Sequence, residues 1–325
     1  MDERLGTALA VVIGIPGVLV GYIYLTELAL RLAPDRRRSA IRPWLWLLPA
    51  LLFLFFFLIF PTILTVLRSF QGAIAGTWVG LENYGWFIGS PDALVALRNS
   101  VLWVVFLTLF TVGLGLLIAV LVDRVRYESV AKSVIFVPLA ISMTAAGVIW
   151  RFMFDYQSPG SPQTGTLNGI LSAFHLGPIS WLQVETLGLN NIFLIIVMAW
   201  MWTGFAMVIL SAALKGISAE LLEAARVDGA TEWKVFRYIV FPLLLPTIAV
   251  VSTTIVITAL KAFDIVYVMT NGNFGTDVIA SRMIKESFIF GNFGHGSALA
   301  VILLLAIIPV MGVNISRFRA QEALR

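Results

Sequence analysis

The chain has no cysteine, two histidines (His175 and His295) and charged side chains at only 12% of its 325 positions. Each scarcity excludes something. Without cysteine there is no disulfide framework, thiolate nucleophile or cysteine metal site. Two histidines leave little material for a histidine-based metal or acid–base centre. No G-x-x-x-x-G-K-[S/T] loop exists to cradle nucleotide phosphates, and no H-E-x-x-H or G-x-S-x-G string marks a hydrolytic centre. A soluble domain carries about 25% charged residues. The low charge here, with 59% apolar residues, excludes a disordered chain, a nucleic-acid binder and an ordinary cytosolic enzyme. The composition asks for lipid as solvent.

What is present in quantity is long apolar runs. A membrane helix needs about 20 mostly apolar residues. Seven stretches qualify: 7–30, 44–67, 97–122, 131–154, 190–214, 243–267 and 297–316. They are continuous rather than alternating, and a helix satisfies its own backbone groups in lipid. The expected fold class is therefore an all-α polytopic membrane protein. The first stretch is read as a retained span rather than a secretory signal, because acids precede it and the arginines of 31–42 follow without a cleavage pattern.

The net charge is +4, from 22 Lys and Arg against 18 Asp and Glu, but its placement says more than its sum. Fifteen of the 22 basic residues fall in 31–43, 123–132, 215–242 and the tail after 316, which are alternate connections. The positive-inside rule then predicts a cytoplasmic C-terminus and, with seven spans, an N-terminus outside. Outer segments 68–96, 155–189 and 268–296 carry Trp78, Tyr84, Trp86, Tyr156 and Trp181, expected mostly at the headgroup boundary. Loop packing is the other reading of those rings. The stripe Thr111-x-x-x-Gly115-x-x-x-Ala119 permits close helix approach.

The longest cytoplasmic connection, 215–242, reads as two short helices about a glycine. Ser218 is the expected cap of the first, with Glu220 in its first turn. Leu221, Leu222 and Ala225 share one face, and Glu223 and Arg226 another. Gly229 suits a left-handed C-terminal turn. Thr231 is the expected cap of the second helix, whose apolar stripe is Trp233, Phe236 and Val240, and Pro242 is expected to end it. One reading is a solvated hairpin in which Glu223 pairs with Arg226. The other is a knob that a second protein grips.

The string Glu223-Ala224-Ala225-x-x-x-Gly229, followed after nine residues by Ile239-x-x-Pro242, resembles the EAA loop of permease subunits in bacterial ABC importers. Phe241 is the one departure, standing where the common pattern has Leu. Gly80-Leu81-Glu82-Asn83-Tyr84, Gly165-Thr166-Leu167-Asn168 and Lys261-Ala262-Phe263-Asp264, continuing to Gly272, resemble segments of the maltose- and glycerol-phosphate-type carbohydrate permeases. The likeness covers 44–319. The extra first span is similar to the arrangement in the α-glucoside permease subgroup.

That resemblance implies a six-helix importer-type permease core plus one extra N-terminal span, in the bacterial inner membrane. The segments are then 1–43 (extra span and basic linker), 44–96 (first core span and outer loop), 97–319 (permease core) and 320–325 (tail). The implied partners are a second permease subunit, two ATP-binding subunits, an extracytoplasmic solute-binding protein, a carbohydrate and membrane lipid, with no nucleic acid. ATP and Mg belong to the partner ATPase, so no cofactor, metal or catalytic residue is expected in this chain. The resemblance makes Glu223, Ala224, Ala225, Asp228 and Gly229 the ATPase-coupling residues. Neutral polyols need hydrogen-bonding groups and aromatic faces, which singles out Thr254, Thr258, Lys261 and Asp264 in the sixth span and Trp200, Trp202 and Thr203 in the fifth. For Lys261 and Asp264, three apart on an expected helix, a local ion pair is the other reading. Two further functions stay open: a permease for glycerol-phosphate or another polar solute of the same family, and an ion-coupled carrier using Lys261 and Asp264. A membrane enzyme lacks any clustered catalytic group.

Overall fold

Apolar runs in lipid leave the backbone no partner but itself, and the regular structure is helical accordingly. The computed structural model describes residues 3–322 except 33, 75 and 124. Positions 323–325 of the expected tail therefore lie outside the described residues. Among those described, one isolated antiparallel bridge, Gln71 with Trp78, is the sole strand-like pairing.

The chain divides into two units, Met1–Leu64 and Thr65–Arg325. The first holds α1 (Glu3–Leu32), α2 (Asp35–Leu54), a π-turn at Phe55–Ile59 and the start of α3 (Phe60–Arg68). In the second unit α4 (Glu82–Gly89) precedes α5 (Pro91–Val122), which starts with Pro91 in its first turn and the Ser90 hydroxyl accepting from Ala93 N. Next come α6 (Glu128–Phe136), a 3₁₀ turn at Val137–Ala140 and α7 (Met143–Met153). The outer segment contains α8 (Thr166–Ala173), and α9 (Leu189–Lys215) follows. The 215–242 connection supplies α10 (Ala219–Val227) and α11 (Glu232–Val235), then a π-turn at Phe236–Val240 leads into α12 (Phe241–Leu260). The chain ends with α13 (Asp264–Met269), α14 (Ile279–Ile284), a π-turn at Lys285–Ile289 and α15 (Phe293–Glu322).

Five described helices are long and apolar enough to span a membrane: Val11–Leu32, Arg37–Arg68, Pro91–Val122, Thr186–Lys215 and Glu232–Leu260. The fourth expected span, 131–154, is not one rod. The helical stretch Glu128–Ala140 and α7 meet at a 98° bend. Pro138 in the 3₁₀ turn, the extended backbone of Ile141 and Ser142, and the Ser142 hydroxyl capping Ala145 N explain the break. Phe293–Pro309, a shorter apolar stretch of α15, completes the set of about seven.

Pro242 also departs from expectation, since Glu232–Leu260 runs through it as one span. A proline ring crowds the carbonyl four residues back and offers no N–H. The π-turn Phe236–Val240 lies immediately upstream, where a widened turn relieves that crowding. Pro61 stands in the same relation to the π-turn Phe55–Ile59. The sixth expected span thus starts eleven residues before the expected 243.

The core of the second unit is α5 against α9. Trp103, Leu107, Met207 and Leu210 are fully buried there. A Cβ on Gly115 would lie 2.6 Å from the Ala206 Cβ and 3.0 Å from Met207 N, so the expected small-residue stripe is a true backbone approach. Gly204 plays the same part toward α6, where a Cβ would come within 2.6 Å of the Ile135 carbonyl oxygen.

The segments 68–96 and 155–189 are stapled by asparagines. Asn83, in the G-L-x-N-Y string, donates to the carbonyls of Ser69 and Gln71 at 2.8 and 2.7 Å. Asn168 donates to Asp155 O and Ile179 O and accepts from Ile179 N and Trp181 Nε1. Three of the rings expected at the headgroup boundary have partners within the protein: Trp181 is held by Asn168, Tyr84 hydrogen-bonds Ser69, and Trp86 stacks on His295 with centroids 3.7 Å apart.

Candidate functional site

The 215–242 connection forms the helical pair that its sequence calls for, with adjustments. Ser218 stands at the N-cap position of α10 but makes no side-chain cap. The other end is tightly closed. Gly229 has φ +80°, Gly229 N donates to Arg226 O and Ala230 N to Ala225 O, both at 3.0 Å. Those two bonds satisfy the last carbonyls of α10 and need a left-handed residue between them. Thr231 caps α11 as expected, accepting from Lys234 N at 3.4 Å.

Arg226 pairs across the turn with Glu232 at 2.7 Å, and that partner holds its guanidinium pKa above the ordinary value. The pair links α10 to α11 across the turn and leaves Glu223 without Arg226. Among the described residues Glu223 has no ion pair and is exposed. Leu222 and Ala225 pack inward against Val235, Val240 and Leu244. Val235 takes the buried place expected of Trp233, which is 70% exposed. Leu221, Ala224, Val227, Asp228 and Gly229 join Glu223 on the outward side, with Val227 87% exposed. A short helix thus presents an unpaired carboxylate between small and apolar side chains. A cavity of about 360 Å³ lies behind it, bounded by Asp123, Ile217, Leu222 and Phe236.

Within the spans, a cavity of about 550 Å³ opens between α5, α6 and α9, lined by Phe110, Ile118, Ile135, Pro138, Trp200 and Thr203 among others. The structure brings Trp200 and Thr203 together there. Trp200 meets Trp150 edge-on at 5.6 Å, and the Thr203 hydroxyl donates to Ala199 O at 2.6 Å. Trp202 lies outside that lining, packed edge-on against Phe205, with its indole N–H buried and unpartnered. Thr254 and Thr258 donate to the carbonyls one turn back, at 3.2 and 2.8 Å. Lys261 and Asp264 do not share a helix: α12 ends at Leu260, and α13 begins at Asp264 after Phe263 at φ −135°. No ion pair joins them among the described residues.

Sequence reasoning missed a polar knot under the 270–285 segment. Asn99 on α5 donates to Gly275 O and Asp277 O, both at 2.7 Å, while Asn190 on α9 donates to Phe274 O at 2.6 Å. Asp277 also pairs with Lys285 at 3.2 Å and keeps one buried carboxylate oxygen unpartnered. Asparagines at the outer ends of two apolar spans were the available signal. Outside the spans, Asp155 accepts from the Thr164 hydroxyl, which holds its carboxyl below the ordinary range.

This geometry can be set beside known proteins. The family model described as "Binding-protein-dependent transport system inner membrane component" matches residues 111–324. The osmoprotective compounds uptake permease protein GgtC of Synechocystis is 54% identical over 281 residues, covering 86% of this chain and 100% of that protein. The alpha-glucoside transport system permease protein AglF of Rhizobium meliloti is 44% identical, covering 86% of this chain and 83% of its own length. Among solved structures, a bacterial ABC transporter involved in import of the acidic polysaccharide alginate superposes with a TM-score of 0.74. It covers 88% of this chain and 99% of its own at 23% identity, which establishes a common fold. The family match spans most of the chain, two relatives exceed 40% identity over nearly all of it, and the helices are long and apolar enough to cross a bilayer several times. The protein belongs to the inner-membrane components of binding-protein-dependent transport systems and is a multi-pass permease subunit.

Proposed function

We propose that this permease forms half of the path through which an ATP-driven importer admits a neutral carbohydrate of the α-glucoside type. The observation that carries the mechanism is the α10 knob, with exposed Glu223 free of any described ion pair on a helix closed by Gly229. A partner ATPase would receive that helix, with a basic group meeting Glu223 and the small Ala224 and Ala225 allowing close seating. Asp228 would add charge at the rim. ATP and Mg would be bound by that partner, so this chain would perform no chemistry. Docking on the outer side falls to a solute-binding protein, and a second permease completes the path.

The substrate class rests on the relatives, whose names specify alpha-glucoside transport and osmoprotective compound uptake. The cavity bearing Trp200 and Thr203, with Trp150 behind, offers an aromatic face and a hydroxyl suited to a pyranose. Thr254, Thr258, Lys261 and Asp264 would line later stages of the path. In this reading α10 and the C-terminus are cytoplasmic and the N-terminus is outside.

The decisive variant is Glu223→Lys, assayed in vesicles containing the whole transporter. It should remain in the membrane yet lose both uptake and the stimulation of ATP hydrolysis by sugar-loaded binding protein. Normal ATP-coupled uptake by Glu223→Lys would overturn the assignment.

A further inference from the structure

The hairpin of α1 and α2 carries a charged cavity that the transport mechanism does not use. It measures about 440 Å³ and is lined by Glu27, Arg31, Asp35, Arg38, Ser39 and Arg42, with Leu30 at its base. Both carboxylates are already answered: Glu27 pairs with Arg42 at 3.1 Å and Asp35 with Arg38 at 2.7 Å. Arg38 also donates to the Arg31 carbonyl at 2.9 Å, closing the mouth of the hairpin. Arg31 itself has no described partner, and neither does the Ser39 hydroxyl. The lining therefore has one positive charge more than its acids neutralise. Arg37, exposed and also without a described partner, stands next to it.

Its position in the membrane is set by the flanking residues. The apolar window of α1 ends at Leu32, and α2 turns apolar after Arg42. Trp44 is 67% exposed and Trp46 meets Tyr22 edge-on at 6.4 Å. Exposed tryptophans beside arginines at the end of two apolar helices mark headgroup depth. A basic concavity at that depth faces phosphates, and a phospholipid diester carries the single negative charge that the surplus cation lacks.

We propose that this cavity binds the phosphodiester of an anionic phospholipid, with Arg31 as the principal cation, Ser39 as a neutral donor and the lipid chains running along the hairpin. Glu27, the carboxylate inside the first span, then has a role: it holds Arg42 in place at the cavity wall. The site ties the extra hairpin to anionic lipid.

The test uses the full chain in its membrane-extracted complex. Detergent-solubilised complex is offered phosphatidylglycerol and phosphatidylcholine together, and retained lipid is counted by native mass spectrometry. Phosphatidylglycerol should be preferred, and Arg31→Gln should lower the preference about fivefold, the worth of one cation near an anionic lipid surface. Arg31→Lys should keep most of it. Ser39→Leu, which fills the mouth from an exposed position, should also lower it. Arg237→Gln, a cation outside the cavity, should leave it unchanged. Equal retention of the two lipids by the unaltered protein would overturn the proposal, as would an unchanged preference in Arg31→Gln. Release of the lipid by excess inorganic phosphate would also overturn it, by making this a soluble-anion site.

Discussion

Asn168 offers the sharpest test of how the outer face is held. It is fully buried and makes four hydrogen bonds between 2.9 and 3.1 Å, two as donor and two as acceptor. Replacing it with alanine strands two carbonyls, one backbone N–H and an indole N–H. At about 1 kcal/mol net per bond, and with water reaching some of the partners, the loss is about 2–4 kcal/mol. That corresponds to a fall of about 3–6 °C in Tm for a chain of this size. Asn168→Asp has nearly the same shape and should be worse. Its carboxylate keeps the two acceptor bonds but points negative oxygen at Asp155 O and Ile179 O, where the amide donated. The buried charge raises the folded-state pKa of that new carboxyl above its unfolded value. The penalty is therefore full above the folded pKa and relieved as pH falls toward the unfolded one, because the protonated acid regains one donor. Thermal unfolding of the purified protein across pH reads both effects. Asn168→Asp should lie below Asn168→Ala at neutral pH and approach or pass it in acid, while the difference between Asn168→Ala and the unaltered protein stays flat. If Asn168→Asp matched the unaltered protein at neutral pH, or showed no pH response, the donor assignment would be wrong.

Two further outcomes follow from the packing and the charge pattern. Gly115→Ala places a methyl 2.6 Å from the Ala206 Cβ; an overpacking cost of about 1–3 kcal/mol should exceed the gain of up to about 1 kcal/mol in helix propensity. Adding Ala206→Gly should recover part of the lost Tm, and failure of the pair to couple would deny the close approach. Because the chain has no native cysteine, Arg36→Cys can be labelled without background. A membrane-impermeant thiol reagent should leave it untouched in intact cells and modify it in inside-out vesicles, whereas labelling from outside would reverse the proposed orientation.

The membrane spans were legible because length and continuous hydropathy suffice to specify a helix in lipid. Bends were not. Pro138, Pro242 and Pro61 are identical letters in apolar runs, yet one accompanies a 98° break and two follow π-turns inside longer helical stretches. The difference lies in what the neighbouring backbone can adopt, and Ile141–Ser142 goes extended because a cap is available at Ser142. In the 215–242 connection, the turn at Gly229 and the cap at Thr231 were readable since they need only adjacent residues. Ser218 fits the same local rule and still makes no cap. Asn99 stood out as a polar residue at the end of an apolar span, but its partners at Gly275 and Asp277 could not be read, being more than 170 positions away.

The two ends of the second unit are held by different chemistry, and that difference bears on how a permease transmits motion. At one end, fixed hydrogen bonds from Asn83, Asn99, Asn168 and Asn190 tie loops to helices at sites largely closed to water. Such bonds are directional, and breaking them strands buried groups, so these loops move with the helices that carry them. At the other end, in the 215–242 connection, α10 is held by Leu222 and Ala225 on an apolar cluster and by the partly exposed Arg226–Glu232 pair. Apolar contact is non-directional, and a solvated ion pair is worth little. The knob can therefore tilt on its seat at small cost while the Gly229 turn keeps its shape. A force applied at Glu223 would first reorient α10, then load α11 and the continuous helix Glu232–Leu260 to which it is joined. That helix ends at the break between Leu260 and Asp264, beyond which α13 packs against α7. Under the proposed coupling, the π-turn at Phe236–Val240 and the break at Lys261–Phe263 would bracket a lever: one end would receive the push, and the other would deliver it to the bent fourth span beside the cavity that holds Trp200.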